Sequence, residues 1–213
     1  MKVEIFADVA CPFCFIGKRN FEQALAGFQD EPVEVVWRSF QLNPDMPAEV
    51  EGDMHDYLAD KFGITRDEAI AMNEKVIASA RSAGAEIDFS RARPRNTFDA
   101  LRMLQLGMET GHGDAMAEQL FSAYFTGSAD IGDPGELTKL AVAAGIDPGE
   151  AETVARGDRF ADRVREDCAE ASSLGLSGVP AFIIDRSLLV SGAQPPEVMR
   201  GALDQAAAAS STA

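Results

Sequence analysis

Residues 8–19 have the sequence DVACPFCFIGKR, which carries the most informative motif of the chain. Two of the three cysteines, Cys11 and Cys14, lie in this stretch and are separated by two residues. The preceding segment, Lys2–Val9, alternates apolar and polar residues as a half-buried β-strand does. Pro12 suits the first turn of a helix, and apolar residues follow it at roughly helical spacing. The two cysteines are therefore predicted to lie where a strand is followed by a helix.

This position gives a cysteine pair a specific chemistry. Residues three apart in a helix share a face, which brings two cysteines within the Cα separation of about 4.4–6.8 Å that a disulfide needs. The free N–H groups and partial positive charge of a helix N-terminus favour a thiolate over a thiol. We therefore predict that Cys11, at or near the N-cap, is an exposed nucleophile and that Cys14 resolves the mixed disulfide. The alternatives are two inert buried cysteines or a pair of metal ligands.

The other cysteines and histidines argue against a metal site. A structural zinc site usually has four ligands. The chain contains three cysteines and two histidines, His55 and His112, with no second CxxC and no HxxxH motif. A small, odd number of cysteines also excludes a scaffold held together by several disulfides. We predict no metal ion and no resident cofactor.

Composition and charge limit the partners. The apolar share of 46% and charged share of 25% are those of an ordinary globular protein. The chain has 19 basic and 35 acidic residues and a net charge of −16, so it should repel nucleic acids and anionic membrane surfaces. The sequence contains no apolar run of about 20 residues and no secretory signal pattern after Met1. We therefore expect a cytoplasmic protein, provided that Met1 is its native start.

The order of predicted elements indicates an α/β domain interrupted by helices. A second strand at residues 33–40 completes a β-α-β unit, which favours parallel strands and a right-handed crossover. Strand signals nearly vanish between residues 44 and 174. Helices are predicted there at residues 54–62, 66–83, 97–109, 114–125, 134–144 and 159–174.

The last forty residues return to an α/β pattern. Two short strands at residues 181–185 and 188–191, joined by a turn at Arg186–Ser187, predict an antiparallel hairpin. A final helix is expected from Pro195 to about Ala207, with the end of the chain fraying. The whole order is β-α-β, a helical segment, then β-β-α.

Five stretches along the chain resemble one known family. The order of elements resembles the thioredoxin fold, and the helical segment resembles that of the DsbA family, most closely its FrnE-like cytosolic branch. The matching stretches are residues 8–19, 40–44, 96–100, 178–182 and 192–196. The resemblance implies an α/β thioredoxin-like fold with an all-helical insertion domain. Residues 1–43 and 175–213 would form the thioredoxin-like domain and residues 44–174 the helical insertion domain.

The resemblance also implies how a substrate is recognised. Pro180 would be a cis proline that faces the CxxC motif, and Val179 would offer its backbone N–H and C=O to an extended substrate segment. Pro12 and Phe13, between the cysteines, would contact the substrate as well. The implied activity is thiol–disulfide exchange with a protein or small molecule that carries a thiol or disulfide, and glutathione is a candidate co-substrate. A cytoplasmic setting favours the reductase or isomerase direction.

The chain departs from the family pattern in three places. Many members bury an acid six residues before the nucleophile, where Ile5 stands here. The nearest acids are Glu4 and Asp8, and Asp8 is a candidate proton acceptor, or else a capping or solvated residue. Leu101 stands where related sequences often have histidine. Phe13 replaces the histidine of a CPHC motif and supplies no positive charge, so a less oxidising site is expected.

Other residues are weaker candidates. Cys168 is either an accessory redox thiol or a helix cysteine without a catalytic role. His55 lies among acids and is expected to be a solvated surface group. The basic residues Arg91, Arg93 and Arg95 would steer a small anion such as glutathione, or pair with neighbouring acids.

Two other functions fit the same scaffold. The insertion also resembles that of kappa-class glutathione transferases and 2-hydroxychromene-2-carboxylate isomerases, which typically carry serine at the nucleophile position and bind glutathione. The presence of both Cys11 and Cys14 argues against that function. The third possibility is a non-enzymatic holdase that binds partners through the groove at Pro180.

Overall fold

The computed structural model describes residues 1–47 and 50–210. Its elements alternate as the sequence predicts, with a run of helices between the second and third strands. In chain order they are β1 (Lys2–Ala7), α1 (Pro12–Ala26), β2 (Glu34–Ser39), α2 (Met54–Phe62), α3 (Arg66–Ala83), α4 (Phe98–Glu109), α5 (Gly113–Thr126), α6 (Pro134–Ala143), α7 (Pro148–Arg156), α8 (Ala161–Ser173), β3 (Ala181–Ile184), β4 (Leu188–Ser191) and α9 (Pro196–Ser210).

The sheet has the strand order β2-β1-β3-β4, with β1 in its interior. On one side β1 pairs in parallel with β2, where Ile5 lies opposite Trp37. On the other side it pairs antiparallel with β3, where Ile5 lies opposite Phe182. Parallel neighbours need a crossover, which α1 provides, and β3 and β4 form an antiparallel hairpin. The predicted thioredoxin-like α/β fold is confirmed.

Helices cover the sheet. The helix α9 packs against α1 and β4, whereas α4, α5 and α8 pack against β2. Apolar side chains of β1 and of the helices share one buried cluster, which includes Ile5, Leu101 and Phe121. The division into residues 1–43 with 175–213 and residues 44–174 stays a prediction. Within the described residues, no helix combines the length and apolar character needed to cross a bilayer.

A buried polar cluster joins α8 to the sheet. Asp167 is 1% exposed, and its carboxylate accepts hydrogen bonds from the Ser39 N–H at 2.8 Å, Arg38 Nη1 at 2.8 Å and Gln105 Nε2 at 3.1 Å. Burial raises the pKa of the Asp167 carboxyl, and the hydrogen bond from Ser39 and the charge of Arg38 oppose that effect. The cluster therefore holds a carboxylate inside the protein against the cost of burying it.

Two local predictions are wrong. The hairpin turns at Asp185 and Arg186, one residue earlier than predicted, and the Ser187 N–H donates to the Ile184 carbonyl at 3.0 Å. Both turn residues have positive φ, 45° and 57°, because a tight hairpin needs a turn that follows the twist of its strands. The last helix continues to Ser210 instead of ending near Ala207, since alanine is the strongest helix former. Residues 211–213 lie outside the described residues.

The helix α7 was not among the predicted helices. Its start signal is present, because the Asp147 side chain accepts from the Glu150 N–H at 3.0 Å and Pro148 occupies the first turn. The helix has nine residues and buries only Ala151, Val154 and Ala155, so its apolar periodicity is weak. A capping residue followed by proline starts both short helices and turns, so these two signals alone did not predict α7.

Candidate active site

The two cysteines lie at the N-terminus of α1. Cys11 is the N-cap, with extended backbone angles of φ −89° and ψ 111°, and Pro12 follows in the first turn. The Cys14 N–H donates to the Cys11 carbonyl at 3.0 Å, which places the two residues one turn apart. Both thiols are free. The strand–CxxC–helix arrangement is as predicted, whereas the catalytic roles of the two thiols remain predictions.

Cys11 is less exposed than expected. It is 4% exposed and Cys14 is 1% exposed, so the prediction of an exposed nucleophile is wrong for this structure. The loop before β3 is the cause, since the Cys11 thiol donates to the Val179 carbonyl at 3.5 Å. Cys11 still lines a cavity beside the helix, so access to its sulfur runs through that cavity.

The loop opposite the cysteines contains a cis peptide bond between Val179 and Pro180, as the resemblance implied. The loop lies directly against α1 at Gly17. A Cβ at that position would come within 2.8 Å of Pro180 Cγ and 3.3 Å of Phe182 Cζ. Only a residue without a side chain allows this approach, and the approach sets the distance between the Val179 carbonyl and Cys11.

The residues between the cysteines face different surroundings. Pro12 is half-buried, whereas Phe13 is 47% exposed, and both line the cavity beside Cys11. An exposed aromatic ring next to the Cys11 thiol offers apolar contact to an incoming molecule. Phe13 contributes no charge to the thiols.

Asp8 lies directly behind the cysteines. It is 1% exposed, and its carboxylate accepts hydrogen bonds from the Leu42 N–H at 2.7 Å and the Ala10 N–H at 3.1 Å. The expectation of a solvated Asp8 is therefore wrong. Burial raises the pKa of its carboxyl, although these hydrogen bonds act in the opposite direction. A carboxyl with a raised pKa can accept and return a proton nearer neutral pH than an ordinary aspartate.

Glu4, the other nearby acid, belongs to a different environment. Although burial acts to raise its pKa, hydrogen bonds from Arg186 and Arg38 lower it below the usual range. Arg38 Nε lies 2.9 Å from Glu4 Oε1. Glu4 is therefore held as an ionised partner of two arginines and is poorly suited to accept a proton.

Cys14 is protected from ionisation. Burial raises the pKa of its thiol well above the usual range, and the neighbouring Cys11 and the charge of Asp8 add to the effect. Cys14 therefore stays a thiol until a base removes its proton. The two cysteines thus differ in their surroundings, which suits two different steps of one reaction.

A cavity of about 380 Å³ adjoins Cys11. Its walls come from the segment before α2 and from α2, α3 and α5 as well as from the cysteine loop. Apolar side chains dominate the lining, among them Met46, Met54, Leu58, Met72, Val76 and Phe125. The sequence analysis missed this cavity, because no motif marks residues that converge from several separate parts of the chain. Its volume falls in the lower part of the size range of small-molecule sites.

The weaker candidates Cys168 and His55 contact other residues instead of the two cysteines of the motif. The Cys168 thiol is 3.8 Å from the Ser39 carbonyl, and burial raises its pKa, which makes it a weaker nucleophile. His55 is half-buried and its Nδ1 lies 3.0 Å from Asn73 Nδ2, so the expectation of a solvated surface group is wrong. Across residues 1–47 and 50–210, no cluster of three or more potential metal ligands occurs.

Arg95 forms an ion pair with a neighbouring acid, which was one of the two roles expected for the basic residues. Its guanidinium lies 2.7 Å from the Asp130 carboxylate. Leu101, at the position where related sequences often have histidine, is fully buried in α4 and supplies no polar group. Polar chemistry near the thiols therefore rests on Asp8 and not on the histidine of related sequences.

Comparison with known proteins agrees with this geometry. The family model for the DSBA-like thioredoxin domain matches residues 2–204. The chain belongs to the DsbA-like family. This family consists of thiol–disulfide oxidoreductases, which supports an oxidoreductase role for this chain.

Individual relatives of this DsbA-like protein cover nearly its whole length. SCO1869 of Streptomyces coelicolor, a probable DsbA oxidoreductase, is 39% identical with a TM-score of 0.90, over 97% of this chain and 89% of that chain. The uncharacterized protein YwbO of Bacillus subtilis is 29% identical over 94% of each chain. The cytosolic disulfide reductase DsbM of Pseudomonas aeruginosa, solved with GSH, has a TM-score of 0.67 over 96% of this chain and 98% of that chain. At 15% identity, that likeness concerns the fold alone.

Proposed function

We propose that this DsbA-like protein exchanges disulfides through Cys11 and Cys14. The Cys11 thiolate attacks one sulfur of a substrate disulfide, whose S–S bond breaks as the mixed disulfide forms. The released substrate sulfur leaves as a thiolate and takes up a proton. Cys14 then loses its proton and attacks the Cys11 sulfur, which forms the Cys11–Cys14 disulfide and releases the second substrate sulfur. The substrate gains two electrons and two protons, and the cysteine pair loses them.

One observation carries this proposal. Two free thiols lie one turn apart at the N-terminus of α1, and the outer one contacts the Val179 carbonyl in front of Pro180. The substrate would contact Pro12, Phe13, Val179 and Pro180 beside the nucleophile. Its class is a thiol or disulfide on a protein or small molecule, and the DsbM structure solved with GSH supports glutathione as a co-substrate. We place the reaction in the cytoplasm, in the reductase or isomerase direction.

A glutathione redox titration with mass tagging of free thiols tests the proposal first. We expect Cys11 and Cys14 to be lost together as one two-electron couple. The midpoint should lie below the strongly oxidising value of about −120 mV, because Phe13 gives the thiols no positive neighbour. A pair that never forms a disulfide, or glutathionylation of Cys11 alone, would contradict exchange and favour the glutathione-transferase or isomerase function.

The variant Cys14→Ser tests the order of the two thiols. Without a resolving thiol, we expect the mixed disulfide between Cys11 and glutathione to accumulate, visible as a mass adduct on the intact protein. The control Cys168→Ser should resolve as the natural protein does. A transferase would instead keep turning over when Cys14 is replaced.

We further propose that Asp8 accepts the Cys14 proton. The carboxyl is buried and its pKa is raised, so the carboxylate, which is the accepting form, is lost as the pH falls through that raised value. In the natural protein the rate of Cys11–Cys14 closure should therefore decrease at low pH. Asp8→Asn should slow closure about 100-fold, as expected for loss of a general base, and the rate should then follow the higher pKa of the Cys14 thiol instead of that of Asp8.

Stopped-flow oxidation of the reduced protein, followed by acid quench and thiol tagging, measures the closure step. Asp45→Asn is the matched control, because Asp45 is an exposed acid on the loop after β2. Thermal unfolding of both variants checks that the fold is intact. A closure rate with an unchanged pH profile in Asp8→Asn would assign the proton to another acceptor.

A further inference from the structure

The cavity beside Cys11 is placed to select the substrate of the proposed exchange reaction. Cys11, Pro12 and Val179 line one end of it, and its other walls lie in α2, α3 and α5. At about 380 Å³ it is large enough for a small organic molecule. Because the nucleophile is only 4% exposed, a molecule that reaches its sulfur through the cavity occupies this space as it reacts.

The lining excludes some classes of molecule. Met46, Met54, Met72 and Val76 present apolar surface, and methionine side chains adapt to irregular shapes. A peptide chain placed there would leave backbone N–H and C=O groups without partners, which costs free energy. Glutathione carries two peptide units and three charged groups, so it would place more polar atoms against these apolar side chains than a hydrocarbon or aryl arm does.

Exposed apolar side chains lie at the mouth of the cavity. Phe13 is 47% exposed and Phe62 is 54% exposed, and both contribute to the lining. Large apolar side chains that remain in water around a pocket are typical of binding sites. A ligand that fills the cavity would cover part of both rings.

The lining also contains polar side chains, among them Lys61 and Tyr124. Lys61 is exposed and lines the cavity, with its ammonium 5.7 Å from the centre of the Tyr57 ring. The charge of Lys61 also acts on the buried carboxyl of Asp8, which lines the same cavity. Tyr124 is 4% exposed, and burial raises the pKa of its hydroxyl, which therefore stays protonated and can donate a hydrogen bond. A ligand with one anionic end would thus find a cation at the mouth.

We propose that the preferred substrate is a small organic disulfide with an apolar, acid-terminated arm that lies in this cavity, with its carboxylate at Lys61. This inference rests on the proposed exchange reaction and names its substrate class. Cys11 attacks the near sulfur, and the substrate S–S bond breaks. The outer arm leaves as a thiolate that takes up a proton. Cys14 then releases the bound arm as a thiol, while the cysteine pair supplies both electrons.

Single-turnover oxidation of the pre-reduced protein tests this assignment without an added reductant. The probes are dithiodihexanoate, dithiodipropionate and dithiodihexanol. The first two carry the same charge and differ in arm length. The first and third have the same arm length and differ in charge. Each rate constant is divided by that of the same disulfide with free dithiothreitol, which removes intrinsic reactivity. We expect dithiodihexanoate to react at least about tenfold faster than dithiodipropionate, because added methylenes are buried in an apolar pocket. It should also react several-fold faster than dithiodihexanol.

Two variants locate the effect. Met72→Trp fills the cavity from α3 and should reduce the preference for the long arm to near unity. Lys61→Met should remove the preference for the acid over the alcohol, and it replaces an exposed residue, so it retains the fold. Lys75→Met, an exposed lysine on α3 outside the lining, is the matched control and should keep both preferences.

The outcomes separate this inference from the proposed function. If none of the disulfides oxidises the thiols, the exchange reaction itself is wrong. If all react but arm length and charge have no effect, exchange stands and the substrate class is wrong. If oxidised glutathione or a disulfide-bonded peptide reacts faster than dithiodihexanoate, the cavity is not the substrate site.

Discussion

Replacing Cys11 with serine is expected to reduce thiol–disulfide exchange by at least about a thousandfold, because a hydroxyl at neutral pH is a far weaker nucleophile than a thiolate. The reason lies in the geometry. Cys11 is the cysteine that lines the cavity, whereas Cys14 is 1% exposed and its thiol has a raised pKa. No other thiol can take over, since burial also raises the pKa of the Cys168 thiol.

The measurement is the rate of disulfide reduction by the pre-reduced variant, with circular dichroism to check the fold. Cys168→Ser is the matched control and should retain the natural rate. Activity above one tenth of the natural rate in Cys11→Ser would disprove the assignment of the nucleophile. The holdase function would instead be supported by two results together. The natural protein would show no disulfide exchange, and Cys11→Ser would still suppress the aggregation of an unfolded protein.

The second large effect concerns stability. Asp167→Ala should lower the free energy of unfolding by about 3 kcal/mol, because it leaves buried hydrogen-bond donors without an acceptor. The Ser39 N–H would lose its 2.8 Å acceptor, and Arg38 and Gln105 would each lose one contact. The raised pKa of Asp167 shows that burying this charge is costly in itself. The stabilising effect of Asp167 is therefore measured by the free energy lost when its buried donors have no acceptor.

Urea unfolding followed by the fluorescence of Trp37 measures this effect. Asp162→Ala is the control on the same helix, because the Asp162 side chain is 92% exposed and its ion pair with Arg165 lies at the surface. The control should leave the midpoint nearly unchanged. Equal midpoints for the two variants would show that the buried cluster contributes nothing to stability.

The sequence predicted those parts of the site that local patterns determine. The alternation of Lys2–Val9 and the proline after Cys11 were enough to place the motif between a strand and a helix. The antiparallel pairing of β3 with β4 followed from the hairpin signal at residues 181–191. Each of these features depends on residues close together in the chain, so a single sequence contains the information.

The rest depends on contacts between distant residues. The burial of Cys11 follows from the Val179 carbonyl, 168 residues away. The environment of Asp8 depends on the Leu42 N–H, and the cavity depends on walls from several distant parts of the chain. No periodicity or spacing encodes such distances, so the exposed nucleophile and the solvated aspartate were reasonable expectations that long-range packing overruled.

The interior position of β1 has a consequence for how the chain folds during synthesis. On one side β1 meets β2 within the first forty residues, but its other edge waits for β3, and Val3 pairs with Ile184. Until Ile184 has been synthesised, that edge of β1 has no partner strand, and before Val179 is made Cys11 lacks the carbonyl that it contacts. Closing so long a loop is slow compared with forming local helices. The contact that covers Cys11 therefore forms only late in synthesis, so its thiol is more accessible in the nascent chain than in the folded protein, where it is 4% exposed.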